Sequence, residues 1–98
     1  MRIVSVAALK AYFTKHSDAK TALQEWHQKA KYAEWNDISD VKRTFNSVDA
    51  VGNDRYVFNI KGNNYRLVAI IRFKIKHLFV RWIGTHAEYD KLKGIDKI

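Results

Sequence analysis

Tyr65-Arg66-Leu67-Val68-Ala69-Ile70-Ile71-Arg72-Phe73 decides the reading of this chain. Tyr65, Leu67, Ala69, Ile71 and Phe73 alternate with Arg66, Val68, Ile70 and Arg72. A period of two puts the two sets on opposite faces of a β-strand. One face is wholly apolar and belongs against a core; the other carries two arginines among aliphatic residues. Just upstream, Tyr56, Phe58 and Ile60 share one face of another strand, with Val57 and Asn59 on the other. Lys61-Gly62-Asn63-Asn64 lies between the two and is made of residues suited to tight turns, which predicts a hairpin. Downstream, a second reversal is expected among Lys74 to His77, then a strand over Leu78 to Ile83 that stops near Gly84. Ala87 to Leu92 reads as a short closing helix.

The N-terminal half has a different period. Ile3 to Val6 is short and β-branched, and predicts a strand. Leu9, Tyr12 and Phe13 then fall at i, i+3 and i+4, one face of a helix. Ser17 or Asp18 is placed to cap a second helix by accepting from its free N–H groups. That helix carries Leu23, Trp26, Ala30 and Ala33 as an apolar stripe, and Asn36 and Asp37 end it. A short third helix is expected after Ser39, turning Val41 and Phe45 to the core. The order predicts an α+β fold in one domain spanning 1–98. Its N-terminal strand and helices pack on one face of a small antiparallel sheet, and a short C-terminal helix closes it.

Ninety-eight residues, 47% hydrophobic, suffice for one packed core and not for two. There is no cysteine, which excludes disulfides and thiolate zinc sites. His16, His27 and His77 show no metal-ligand spacing, so neither a metal nor a cofactor is expected. No apolar run approaches the roughly 20 residues that span a bilayer, and a cytoplasmic protein without membrane association is expected. The net charge is +8. Residues 1–50 hold eight Lys/Arg against six Asp/Glu, and residues 51–98 hold ten against four. The excess charge therefore belongs to the sheet-forming half.

Between Arg55 and Ala87 there are seven Lys/Arg, two His and no acidic residue. Basic side chains spread over a sheet are the usual electrostatic footprint of nucleic-acid binding. His86 and Tyr89, just past the last strand, add groups that can move or hold protons. Together they suggest cleavage of RNA. That reaction requires deprotonating a 2′-hydroxyl, stabilising negative charge on phosphorus and protonating the departing 5′-oxygen. Arg66 suits the charge, because guanidinium holds two phosphate oxygens at once. His86 suits proton transfer, because an imidazole has both forms accessible near neutrality. Tyr89 is placed to orient the nucleophile, stack on a base or simply cover the core, and Lys61 to contact phosphate. Arg72, Lys74, Lys76 and Arg81 read as the field that docks RNA or a ribosome. Asp90 reads as a residue that orients a neighbour or, more simply, caps the final helix. Trp26, Trp35 and Trp82 read as core residues, with Trp82 also a candidate neighbour of bound RNA.

Three segments carry a resemblance: Val57-Phe58-Asn59-Ile60, Asn64-Tyr65-Arg66-Leu67-Val68, and Ile83-Gly84-Thr85-His86-Ala87-Glu88-Tyr89-Asp90. Joined at this spacing, they resemble the HigB family of toxins within the RelE-like messenger-RNA interferases. The likeness covers Arg55 to Lys91. Many RelE relatives have an arginine at the position of His86, and further basic residues at those of Val57 and Asn59; the departure matches the HigB branch. The resemblance implies a RelE-like fold and the toxin of a type II toxin–antitoxin system. It implies a metal-independent endoribonuclease that cuts mRNA, mostly on the ribosome, and a cognate HigA-like helix-turn-helix antitoxin as partner. It also implies that Arg66, His86, Tyr89 and Lys61 form the catalytic set. Two other classes fit the composition: a non-catalytic RNA binder using a basic, aromatic sheet, and a module whose basic face meets an acidic protein.

Overall fold

The structure, a computed structural model, describes residues 1–98. Its centre is a five-stranded sheet of β1 (Arg2–Val4), β2 (Asp49–Gly52), β3 (Arg55–Ile60), β4 (Tyr65–Arg72) and β5 (His77–Thr85). The order across the sheet is β1-β5-β4-β3-β2. The strands β2 to β5 form an antiparallel meander, and β1 pairs with β5 in parallel. Between β1 and the meander run α1 (Val6–Lys15), α2 (Lys20–Tyr32) and α3 (Ile38–Thr44). No helix is long and apolar enough to cross a membrane.

The helices turn one face each to the sheet. Leu9 of α1, the α2 stripe Leu23, Trp26 and Ala30, and Val41 of α3 join one buried cluster. On the sheet side it contains Phe58, Ile60, Leu67, Ala69, Ile71 and Leu78. Burying a leucine contributes roughly 1.5–3 kcal/mol, against at most about 0.7 kcal/mol separating ordinary residues in helix propensity. Packing of the stripe therefore decides where α2 forms.

Several details depart from the sequence reading. Ser17 and Asp18 cap nothing: Ser17–Ala19 is a 3₁₀ turn that runs into α2, whose N-cap makes no side-chain bond. Asp18 instead accepts from the buried Tyr65 hydroxyl, a polar tip that must find a partner. Asp37, not Ser39, sets the start of α3, with its carboxylate accepting from the Asp40 N–H. The edge strand β2 gives no clear alternation because most of it is exposed. The last strand runs on through Gly84 to Thr85.

A bulge in β5 has the largest consequence. Val68 faces Trp82 across the ladder while Ala69 faces Val80, so Arg81 is the extra residue. One added residue exchanges the faces of everything beyond it. Leu78 and Val80 lie in the core cluster, and beyond the bulge it is Ile83 that packs against it. Trp82, expected in the core, belongs to the opposite face.

That outer face is ordered in rows. Asp49, Val57, Val68 and Trp82 make one row across the strands; Asn59, Arg66 and Gly84 make the next. After β5, α4 (His86–Asp90) touches both β4 and β5, and a 3₁₀ turn at Ile95–Lys97 reaches β2. Asn53 donates to Asp96, and Arg55 to the Ile98 carbonyl. The sheet thus has a thick helical layer on one side and a thin C-terminal strap on the other.

Candidate active site

Arg66 is the only charged residue buried in the molecule, 8% exposed. It sits in an interior strand, opposite Asn59 on β3 and Gly84 on β5. A charged side chain on the face away from the core is ordinarily exposed. Burial follows from its central strand and from Tyr89, whose ring lies 5.9 Å from the guanidinium carbon. Its Nη1 donates to the carbonyls of Asn63 and Tyr65, and its Nη2 to Oδ1 of Asn63, each at 3.2 Å. These acceptors are all neutral, and no carboxylate is within ion-pairing distance. A buried charge is ordinarily paired; this one is held in place yet keeps its charge uncompensated. Guanidinium has five N–H donors. Three are used, which leaves Nε–H and one Nη2–H without a partner in the protein.

His86 and Tyr89 are fixed by α4. Thr85 is its N-cap: Thr85 Oγ1 accepts from the Glu88 N–H at 3.1 Å, and Glu88 Oε1 accepts from the Thr85 N–H at 2.8 Å. This is a reciprocal capping box, and accepting from Thr85 holds the Glu88 carboxyl below its usual range. The His86 N–H donates to the Asn64 carbonyl at 3.0 Å. Asn63 and Asn64 of the hairpin therefore anchor Arg66 and α4 respectively, a role beyond the turn-forming one their sequence announces.

The His86 imidazole is about half exposed, and its Nε2 lies 3.4 Å from Asp90 Oδ2 one helical turn on. Asp90 is thus a partner for protonated His86, not the cap of α4. Tyr89 leans over the outer face. Burial, and next the nearby Asp49 carboxylate, push its phenol pKa up, against the pull of Arg66. Near neutral pH Tyr89 is therefore an un-ionised phenol.

The other basic residues are distributed. Lys61, in the left-handed region at φ 53°, has its ammonium 3.3 Å from Asp18. It is grouped with Asp18 and Tyr65, not with Arg66. Arg72 is ion-paired with Asp54. Lys76 donates to the Trp35 carbonyl and Asn36 Oδ1 at 2.7 and 2.6 Å. Lys74 and Arg81 are exposed. Six residues separate Arg66 from Arg72, about 20 Å along a strand, so Arg72, Lys74 and Lys76 lie at the far end of the sheet. The recesses of the fold, the largest about 510 Å³ near Met1, Lys31 and His77, are not lined by Arg66, His86 or Tyr89. None of these recesses encloses the three residues, of which His86 is half exposed and Arg66 buried.

Residues 19–92 match the family described as HigB toxin, the RelE-like toxic component of a toxin–antitoxin system. The mRNA interferase HigB of Escherichia coli O6:H1 is 33% identical over 94 residues, covering 94% of this chain and 91% of that protein. The mRNA interferase toxin HigB of Escherichia coli K12 is 30% identical over 99 residues, covering 99% and 95%. The matched region contains the whole meander, the Arg66 site and α4, so the chain belongs to the HigB family of RelE-like toxins.

Proposed function

We propose that this protein is an mRNA interferase: the toxin of a type II toxin–antitoxin pair, cutting mRNA on translating ribosomes in the cytoplasm. The observation that carries the reading is Arg66, a buried guanidinium with no acidic partner and two donors unspent. In the reaction the 2′-oxygen attacks phosphorus as it loses its proton, and the bond to the 5′-oxygen breaks as that oxygen gains one. Arg66 neutralises the charge that builds on the phosphoryl oxygens, in a site where burial strengthens it. His86 transfers a proton, with Asp90 Oδ2 3.4 Å from its Nε2 to orient the ring. Tyr89 donates a hydrogen bond that orients the reacting ribose or phosphate. These steps need no metal. Lys61 adds to the field at the hairpin while Asp18 holds it.

Arg81 and Lys74, with Arg72 and Lys76, supply docking charge for mRNA or ribosomal RNA. An open site offers little positioning of its own, and the ribosome supplies it by presenting the message in register. A HigA-like helix-turn-helix antitoxin silences the protein by binding it.

Production of the chain without a partner should arrest growth, with translated messages cut and untranslated RNA largely spared. Mapping transcript 5′ ends after induction tests this. Equal cutting of naked and translated RNA removes the ribosome from the reading, and intact transcripts with folded protein present remove the nuclease. Ribosome association should also fall steeply with salt, because each phosphate contact releases counterions.

A further inference from the structure

Trp82 has no part in the cleavage chemistry, and its setting is unlike that of the other two tryptophans. Trp26 and Trp35 are 2% exposed and belong to the core cluster. Trp82 is only partly buried, outside that cluster, on the face that carries Arg66. Two features put it there. The bulge at Arg81 turns it to the outer face. Gly84, two residues on, leaves room for the ring: a Cβ at that position would come within 2.5 Å of Trp82 Cζ2. Since Gly84 pairs with Arg66 across the ladder, the indole lies over the neighbour of the guanidinium. Its ring is 6.2 Å from that of Tyr89, tilted by 52°, and Tyr89 in turn faces Arg66.

We propose that Trp82 is the stacking platform for the nucleobase flanking the scissile phosphate, and that Gly84 is the positioning residue that lets the indole lie there. A cation to hold phosphate beside an aromatic surface to hold the attached base is the general design of single-strand recognition. The exposed Arg81, immediately before Trp82, supplies a contact for the next phosphate. A π-face accepts any base, so this subsite favours purines through stacking area and reads no hydrogen-bonding edge. The proposal rests on the RNA-cleaving reading of the Arg66 site.

The test uses the full-length toxin on ribosomes programmed with messages that carry either a base or an abasic ribose on each side of the cleavage site. Wild-type protein should lose about 5- to 150-fold in cleavage rate at sub-saturating toxin when the stacked base is missing, the factor one base–aromatic stack ordinarily represents. Trp82→Leu keeps an apolar cover over Val68 but has no π-face. It should show the same loss on the intact message and no further loss on the abasic one, whereas Trp82→Phe should recover most of the rate. Gly84→Ala should resemble Trp82→Leu alone and add nothing to it in the double variant. Equal sensitivity of wild type and Trp82→Leu to the abasic site overturns the platform, and additive losses in the double variant overturn the role of Gly84. A second readout is tryptophan fluorescence. A short RNA with a 2′-deoxy nucleotide at the cleavage site should quench it in wild-type protein but not in Trp82→Leu, which retains Trp26 and Trp35. Its abasic counterpart should quench wild type much less, and equal quenching of both proteins overturns the platform. Wild-type protein that cuts neither message on the ribosome refutes the nuclease reading instead.

Discussion

The hairpin at Lys61–Asn64 carries a cation and a tyrosine on each side of the sheet, and the two pairs are built in opposite ways. On the helical side, Lys61 and Tyr65 both turn to Asp18, with the Tyr65 hydroxyl 2.6 Å from one carboxylate oxygen and the ammonium 3.3 Å from the other. Tyr12 and His16 close around that phenol in edge-on contact. Every charge there has its counter-charge. On the outer side, Asp49 and Asp90 act on Tyr89, but no carboxylate ion-pairs with Arg66, which is held only by neutral oxygens. The first cluster is a completed structural joint that ties the 3₁₀ turn before α2 to the meander. The second keeps a positive charge in place without a counter-charge. Composition does not separate the two; the position of a single carboxylate does.

Removing His86 should have the largest effect on the outer cluster. His86→Ala should lower cleavage on ribosomes by about 10²–10⁴-fold, the usual range for a lost proton-transfer group, with the melting temperature nearly unchanged because the ring is half exposed. Near-normal cleavage would move proton transfer elsewhere. Arg66→Ala comes next, at roughly 10²–10³-fold in rate. Unlike His86→Ala, it should also destabilise the protein by about 1–3 kcal/mol, because buried carbonyls lose their donor. Arg66→Lys keeps the charge but not the fork, and should recover stability more than rate. Single-turnover kinetics with thermal melts separate the two effects.

Lys61→Ala sharpens the comparison from the other side. If Asp18 already neutralises Lys61, the change should alter cleavage by less than about tenfold, in the range of one docking contact rather than a reacting group. A loss as large as that of Arg66→Ala would make Lys61 catalytic and break the contrast. Thr85→Ala removes the capping box that holds α4 and should cost about 1 kcal/mol. Cleavage should fall several-fold, with kcat affected more than KM, since His86 and Tyr89 lose their register together.

The smallest effect is pH-dependent and confined to the helical cluster. Asp18 is held below its usual range, first by the Tyr65 hydroxyl and further by Lys61. Its contribution to stability is therefore present above the unfolded carboxylate range, about pH 4, and is lost as pH falls through the lowered folded value. The Tyr65 phenol is pushed from 10.0 up to about 12, chiefly by donating to Asp18. Its contribution is complete below the unfolded value and is lost as pH rises through about 12. Asp18→Asn should weaken both limbs at once and return one tyrosinate transition, followed by absorbance, towards its ordinary position. An unchanged alkaline transition would mean that Asp18 does not govern Tyr65.

Local pattern carried a large part of this structure. The period of two in Tyr65–Phe73, the turn residues Lys61–Asn64 and the Leu23–Trp26–Ala30 stripe determined β4, the hairpin and the buried face of α2, because each is set by residues within a few positions of one another. Thr85 and Glu88 stand at capping-box spacing, a local signal that fixes the start of α4. The basic, acid-free run from Arg55 to Ala87 determined that the meander carries a positive field. What lay outside the sequence was the identity of neighbours across long distances. Parallel docking of β1 beside β5 joins residues more than seventy positions apart, and no periodicity encodes it. The bulge at Arg81 reverses the face of Trp82 because β5 must keep register with β4, so a strict alternation through Leu78–Ile83 sends the indole to the wrong side. Asp18 stands where a helix cap is expected and instead meets Tyr65, forty-seven residues on, because a buried phenol binds whatever acceptor the fold brings to it. By the same logic only the tertiary structure could decide which cation is neutralised and which is left unpaired: Coulomb energy depends on where a carboxylate sits in space, and chain order does not carry that distance.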